Sequence, residues 1–246
     1  PLQQLLDCRL HGVHVIDLLM LFEREQGRLP LDFLKPDWLI YSEGSERGLM
    51  SHVFKRAFDI LASLTILCLS WPLMLAAVLA IKLEDGFWSP VVYRQTRVGY
   101  LARNFQVLKF RSMVVDAEEA HGAQWAVEND QRITRVGNFL RKSRIDELPQ
   151  LFNVLRGDMS FVGPRPERPH FVNQLSDAVP FYQERHAVKP GITGWAQVRF
   201  PYAATFKDAA QKHEYDLFYI KNHSIFLDLI ILCQTAEVVM FGKGAR

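Results

Sequence analysis

Asp146 and Glu147 are neighbouring carboxylates with arginines on both sides, inside the run LRKSRIDELPQLFNVLRGDMSFVGPRP at 140–166. An ionised carboxylate can attack phosphorus to give an acyl phosphate, but two anions repel. Cations must accompany such a step, and Mg²⁺ held by carboxylate oxygens is the usual one. Asp146 precedes an apolar-periodic run (Leu148, Leu151, Phe152, Leu155) closed by Gly157, which predicts an N-cap, a short helix and a C-terminal glycine, with Pro149 in the first turn. A capping aspartate also has a purely structural role, worth about 1 kcal/mol. The company it keeps points further. A helix N-terminus with Arg141, Arg144 and Arg165 around it favours a phosphate over a lone carboxylate. In VGPRP, Val162 to Pro166, two prolines bracket Arg165 and stiffen the backbone that carries it. The alternative there is a surface turn with a solvated arginine.

Several elements must position these groups. Ahead of them, PVVYRQTRVG and NFQVLKFRSM read as two strands joined by a glycine-containing turn, with one face carrying Arg97, Lys109 and Arg111. The run from Ile60 to Ile81 holds no charge and is long enough to span a bilayer. Pro72 near its middle removes a helical hydrogen bond, and Lys55, Arg56 and Lys82 flank it, which fits both ends returning to one membrane face. Asp59 at its edge needs a partner, and Arg56 one turn earlier is the expected one. Residues 114–139 form an acidic, helix-forming stretch in which Asp116, Glu118 and Glu119 read as solvent-facing. VKPGITGWAQV, Val188 to Val198, reads as a tight loop around Trp195, either a buried aromatic or a base- or sugar-contacting one. The last apolar run, Ile225 to Phe241, is interrupted by Asp228, Gln234 and Glu237 at near-helical spacing. With Phe218, Tyr219, Phe226, Phe241, Lys221, Lys243 and Arg246 it predicts an amphipathic helix lying in a membrane interface, with a buried core helix as the alternative. Val13 to Phe22 has a helical pattern and Trp38 to Tyr41 a strand-like one.

Composition narrows the class. The 246 residues are 49% hydrophobic, enough for one large or two small cores. Net charge is only +2 and no basic stripe stands out, so nucleic acid is not expected as a partner. Basic residues gather beside the apolar runs, which suits anionic lipid or phosphate. Cys8, Cys68 and Cys233 are far apart without CxxC spacing and read as unpaired thiols in a reducing compartment. The chain starts at Pro1 without a signal-peptide pattern, which predicts a fragment of a longer protein.

The run DELPQLFNVLRGDMSFVGPRP resembles the signature of the bacterial sugar transferases, the monotopic polyprenyl-phosphate phosphoglycosyl transferases, and the likeness covers about residues 54–246. It implies a membrane-associated α+β fold: a re-entrant helix-break-helix at about 56–83, a small β-hairpin or sheet, and several amphipathic interfacial helices. The break in that family is a Ser-Pro pair; here Ser70 and Pro72 are separated by Trp71. The turn between the two strands often has a second glycine where this chain has Ala102. Residues 1–43 resemble the end of the α/β, nucleotide-fold-like regulatory domain of the longer members, with 44–53 as a linker. The implied reaction moves a sugar 1-phosphate from a UDP-sugar to polyprenyl (undecaprenyl) phosphate and releases UMP, an opening membrane step of exopolysaccharide, capsule or glycan assembly. Asp146 would be the nucleophile that carries a covalent phosphosugar, with Glu147 beside it at the metal. Arg165 and Arg141 would clamp phosphate oxygens, Lys109 and Arg111 would lie near the diphosphate, and Asp146 and Glu147 would hold Mg²⁺. The implied place is the cytoplasmic face of the bacterial inner membrane, among its lipids, with a homo-oligomer left open. The ERP and YDLFYIKN surroundings resemble members that transfer glucose or galactose 1-phosphate. Two other classes remain: a membrane-anchored scaffold without chemistry, and a membrane phosphohydrolase that uses water as acceptor.

Overall fold

One helix sets the frame. In the computed structural model, which describes residues 2–35, 49–115, 117, 130–200 and 205–241, the helical backbone runs without interruption from Leu49 to Asp85. Two shorter helices precede it, α1 (Leu2–Leu10) and α2 (Leu18–Gln26), so this one is α3. It is the one helix among the described residues that is long and apolar enough to cross a membrane, with a mean hydropathy of 2.3 over its most apolar window. The linker expected at 44–53 is therefore helical from Leu49 on, and the break expected at Ser70 and Pro72 is a proline inside one continuous helix. Ser70 Oγ is buried without a hydrogen-bond partner among the described residues, so it does not cap a freed carbonyl.

After α3 comes the predicted hairpin. Strands β1 (Val92–Val98) and β2 (Asn104–Phe110) pair antiparallel, with Arg97 opposite Phe105 and Tyr93 opposite Lys109. The connecting turn puts Leu101 and Ala102 in the left-handed region, at φ 52° and 57°. Ala102 thus occupies a conformation that glycine adopts at less cost. Helix α4 (Arg135–Lys142), capped by the Thr134 hydroxyl, leads to the 3₁₀ turn Ile145–Glu147, and α5 (Gln150–Arg156) follows and ends on Gly157 in the left-handed region.

Strand β3 (Ser160–Val162) then pairs in parallel with β4 (Gly191–Thr193), the two separated in sequence by α6 (Pro169–Ala178) and a 3₁₀ segment, Tyr182–Ala187. Their backbones touch at glycines: a Cβ on Gly163 would lie 2.3 Å from the Lys189 carbonyl oxygen, and one on Gly191 would lie 2.1 Å from the Gly163 nitrogen. Only glycine allows that approach, which presses VGPRP against KPGITG. The chain closes with α7 (Trp195–Arg199), α8 (Phe206–Asn222) and α9 (Ile225–Phe241). The architecture is α+β: two small two-stranded sheets set among helices.

Both arms of α3 pack on this body. Ala62, Ile66 and Leu67 join the core of Leu151, Phe161, Val162, Trp195, Tyr219 and Ile231. Further along, Ala77 and Ile81 are buried with Phe110, Leu140 and Ile145. Between them Leu69 and Trp71 stand 76% and 61% exposed, and the arms expose Leu61 and Leu83 as well.

Helix α9 turns Asp228 and Thr235 toward the body and leaves Glu237 exposed. Asp228 is buried, its Oδ1 accepting from the Tyr219 hydroxyl at 2.8 Å and its Oδ2 2.8 Å from Lys55 Nζ; Thr235 meets Thr193. Ile225, Phe226 and Leu229 face outward. The expected polar outer face is thus corrected at Asp228, and Tyr219 is a core residue rather than an interfacial one. Asp59 is also corrected: it pairs with Lys55 at 3.0 Å, one full turn away, whereas Arg56 donates to the Val154 and Leu155 carbonyls at 2.6 and 2.7 Å at the C-terminal end of α5. At the N-terminus the pattern Val13 to Phe22 becomes helix only at Leu18, because the Asp17 carboxylate accepts from the Leu19 N–H and starts α2 there. The strand-like run Trp38 to Tyr41, Asp116, Glu118, Glu119, Lys243 and Arg246 lie outside the described residues, as does the side chain of Phe241.

Candidate active site

The 3₁₀ turn Ile145–Glu147 is entered through Arg144 at φ 59°, and its two acids point into the body, where Asp146 and Glu147 are 7% and 9% exposed. Asp146 is therefore not the cap of α5, which starts after Pro149. The sequence signal was misleading because the tight turn and the helix run on almost without a gap. Glu147 Oε1 accepts two charge-assisted hydrogen bonds, from Lys109 Nζ at 2.9 Å and from Arg165 Nη2 at 2.6 Å. Asp146 Oδ1 is buried with no hydrogen-bond partner among the described residues.

Three elements make that meeting. Lys109 comes from β2, which is locked to α5 by Asn153: its Oδ1 accepts from the Leu108 N–H at 3.0 Å and its Nδ2 donates to the Gln106 carbonyl at 2.7 Å. Arg165 arrives on the turn after β3, held close to β4 by the glycine contact described above. The acids sit between, on the 3₁₀ turn.

The two carboxyls are driven apart electrostatically. Burial pushes Asp146 up and the neighbouring Glu147 charge adds to it, against the pull of Lys109, Arg165 and Arg141. Burial also works upward on Glu147, but the charges of Arg165 and Lys109 and the hydrogen bond from Arg165 outweigh it and hold that carboxyl well below the usual range. Adjacent titratable groups split in this way make the pair a candidate site of chemistry. Glu147 is a fixed anion already spoken for, and Asp146 is the one with an oxygen to spare.

Among the described residues no group of three or more His, Cys, Asp or Glu side chains could hold a metal ion. A protein-only cage is thus not built here. The orphaned Asp146 oxygen beside an engaged glutamate does suit Mg²⁺, which commonly takes one or two carboxylates and fills its shell with water and phosphate oxygens.

Of the other residues named from sequence, Arg141 acts on Asp146 through its charge. Arg111 is buried and engaged elsewhere, its Nη2 2.6 Å from Asp85 Oδ2 at the end of α3. Ser70 and Pro72 lie near the middle of α3, Pro72 exposed and Ser70 half-buried. Trp195 takes the buried reading: it is 5% exposed, stacks on Phe218 at 5.6 Å, and donates from Nε1 to the Gly27 carbonyl at 2.7 Å. Sequence reasoning did not single out Asn153, Arg185 or Asp216, which are buried polar residues outside any recognisable spacing. Their only sequence signal is a polar letter within an apolar or periodic run.

A family profile described as bacterial sugar transferase matches residues 50–242. Over 240 residues, 97% of this chain and 55% of the relative, the chain is 47% identical to the UDP-N-acetylgalactosamine-undecaprenyl-phosphate N-acetylgalactosaminephosphotransferase of Aeromonas hydrophila. It is 46% identical over 180 residues, 71% of this chain and 36% of the relative, to the UDP-glucose:undecaprenyl-phosphate glucose-1-phosphate transferase of Xanthomonas campestris pv. campestris. It is 42% identical over 204 residues, 79% of this chain, to the whole length of the exopolysaccharide production protein PSS of Rhizobium leguminosarum bv. phaseoli. The chain thus spans about half, or less, of the first two of these relatives.

Proposed function

The chain belongs to the bacterial sugar transferase family, and from that membership and the Asp146 site we propose that it transfers a sugar 1-phosphate from a UDP-sugar to polyprenyl phosphate, with release of UMP. The observation that carries the chemistry is the buried, unpartnered Asp146 oxygen beside a glutamate whose charge is already matched. Asp146, ionised, attacks the phosphorus that bears the sugar. The bond from that phosphorus to the bridging oxygen breaks, UMP leaves with the electron pair, and an aspartyl phosphosugar remains. A phosphate oxygen of the lipid then attacks the same phosphorus, the aspartyl bond breaks, and the carboxylate is restored. Lys109 and Arg165, already oriented by Glu147, face the charge that grows on the transferred phosphoryl oxygens, and Arg141 adds positive potential. Asp146 and Glu147 would hold Mg²⁺, which when bound neutralises the diphosphate and its leaving group.

The membrane half follows from α3. It packs on one body along both arms, carries Pro72 near its middle and has Lys55, Arg56 and Lys82 at its two ends, which supports a helix that dips into one leaflet and returns. The outward apolar face of α9 supports a seat in the same interface, on the cytoplasmic side where Lys and Arg are favoured. A lipid phosphate at headgroup depth then meets the site. The relatives carry both N-acetylgalactosamine and glucose in their names, so the donor belongs to the UDP-hexose or UDP-N-acetylhexosamine class.

UMP release from a panel of UDP-sugars, with and without polyprenyl phosphate in detergent or nanodiscs, tests the reading. Release that requires the lipid is expected, and labelled phosphosugar should be trapped on the protein when the lipid is withheld. Release indifferent to the lipid identifies a phosphohydrolase; no release from any donor identifies a scaffold.

A further inference from the structure

The turn that carries Arg165 is held from behind by two more arginines. Arg185 Nη2 donates to the Arg165 carbonyl at 2.8 Å, and Arg97 Nη1 donates to the next carbonyl, that of Pro166, at 3.0 Å. Prolines at 164 and 166 remove two backbone N–H groups from this turn, so its carbonyls are the handles left to hold. Neither holder is loose. Arg185 is buried, 3.1 Å from Asp216 Oδ2, hydrogen-bonded to the Tyr182 hydroxyl and stacked 4.9 Å over the Tyr182 ring. Arg97 is gripped through Nε and Nη2 by Gln95 Oε1 at 2.9 and 2.6 Å and lies 3.4 Å from Glu167, which Lys212 approaches at 3.7 Å.

A buried ion pair such as Arg185 with Asp216 gives up its hydration and often adds little net stability. A neutral donor could also have satisfied a carbonyl. What a forked, charge-locked guanidinium adds is a fixed direction. We propose that Arg185 and Arg97 are positioning residues for the transfer reaction: by pinning consecutive carbonyls they set the Arg165 guanidinium against Glu147, and so the charge that Asp146 and the phosphoryl group experience. This rests on the function proposed above. Neither arginine touches the acids; both act through Arg165.

A double-mutant cycle decides it. Arg185→Lys is expected to lower kcat by about 10–100-fold, as loss of an outer positioning contact typically does, with KM for the UDP-sugar within about twofold. Arg165→Lys should lose more. The double variant should be no slower than Arg165→Lys alone, because the two residues serve one interaction. Losses that multiply, or a loss confined to KM, overturn the proposal. Where Arg185→Lys does not melt cooperatively, the same cycle with Arg97→Lys, whose side chain is 18% exposed, gives the decision. Wild-type protein without lipid-dependent UMP release overturns the functional reading and this proposal with it. Active wild type with multiplicative losses overturns the positioning role alone.

Discussion

Two carboxylates one residue apart end with opposite fates because their surroundings differ, not their chemistry. Glu147 receives Lys109 and Arg165 on one oxygen, while Asp146 is enclosed with an oxygen unmatched. Replacing Asp146 by Asn should abolish turnover, by about 10³-fold or more for a removed nucleophile, and should leave no trapped phosphosugar. The same change should raise the thermal midpoint at neutral pH. The sign follows from Asp146 being pushed up in the fold: its contribution to stability is intact at low pH and is lost as pH rises through the folded value, and Asn never ionises. The gap between the two melting curves should therefore close on acidification. Because attack requires the ionised form, the acid limb of kcat against pH should be shifted upward from the ordinary aspartate position, moving with Asp146 rather than with the depressed Glu147. The acids were legible in the sequence because they share a motif with Arg165; Arg185 was not, because nothing in linear spacing reveals which carbonyl a side chain will reach across 20 residues.

At the scale of elements, polar residues inside apolar runs tell most. Asp59 and Asp228 come from two different helices and share Lys55, at 3.0 and 2.8 Å, while Ser160 Oγ and the Phe161 N–H also donate to Asp59 at 3.0 Å each. This knot joins α3, α9 and β3. Lys55→Met should destabilise by about 3–5 kcal/mol, the usual cost of leaving buried charge unpaired, measured by denaturant unfolding in detergent, with Lys55→Arg much milder. The hairpin offers the opposite change. Ala102→Gly should stabilise by about 1 kcal/mol, the cost of left-handed backbone at a residue with a Cβ. Strand alternation and the turn glycine made the hairpin readable. Asp228 in α9 misled because a polar letter in an apolar helix is normally assigned to solvent, as Glu237 is, whereas the aspartate is buried against Tyr219 and Lys55. Asp59 was paired with the wrong cation because residues three and four apart are both within reach on a helix.

Over the whole molecule, the proposed dip into one leaflet makes a directional prediction. With Cys8, Cys68 and Cys233 replaced by Ser, single cysteines at Ser51 and Ser89, on either side of the apolar run, should both react with an impermeant maleimide from the same face of sealed vesicles. Labelling from opposite faces would establish a spanning helix. Sequence length favoured spanning, whereas Pro72 and the basic residues at both ends favoured a return to one face, and both arms pack against the same body. Less visible still was what the first residues do. Leu19, Leu29 and Leu34 are buried with Leu217 of α8, the Leu29 N–H donates to the Glu214 carbonyl at 3.1 Å, and Gly27 caps the indole of Trp195. The family-profile boundary near residue 50 is therefore not a physical boundary. Anyone who trims the gene to that limit will strip a leucine-rich patch and a tryptophan of their cover, and should expect a sticky, poorly behaved product until a graft, a detergent or a redesigned surface takes the place of those discarded residues.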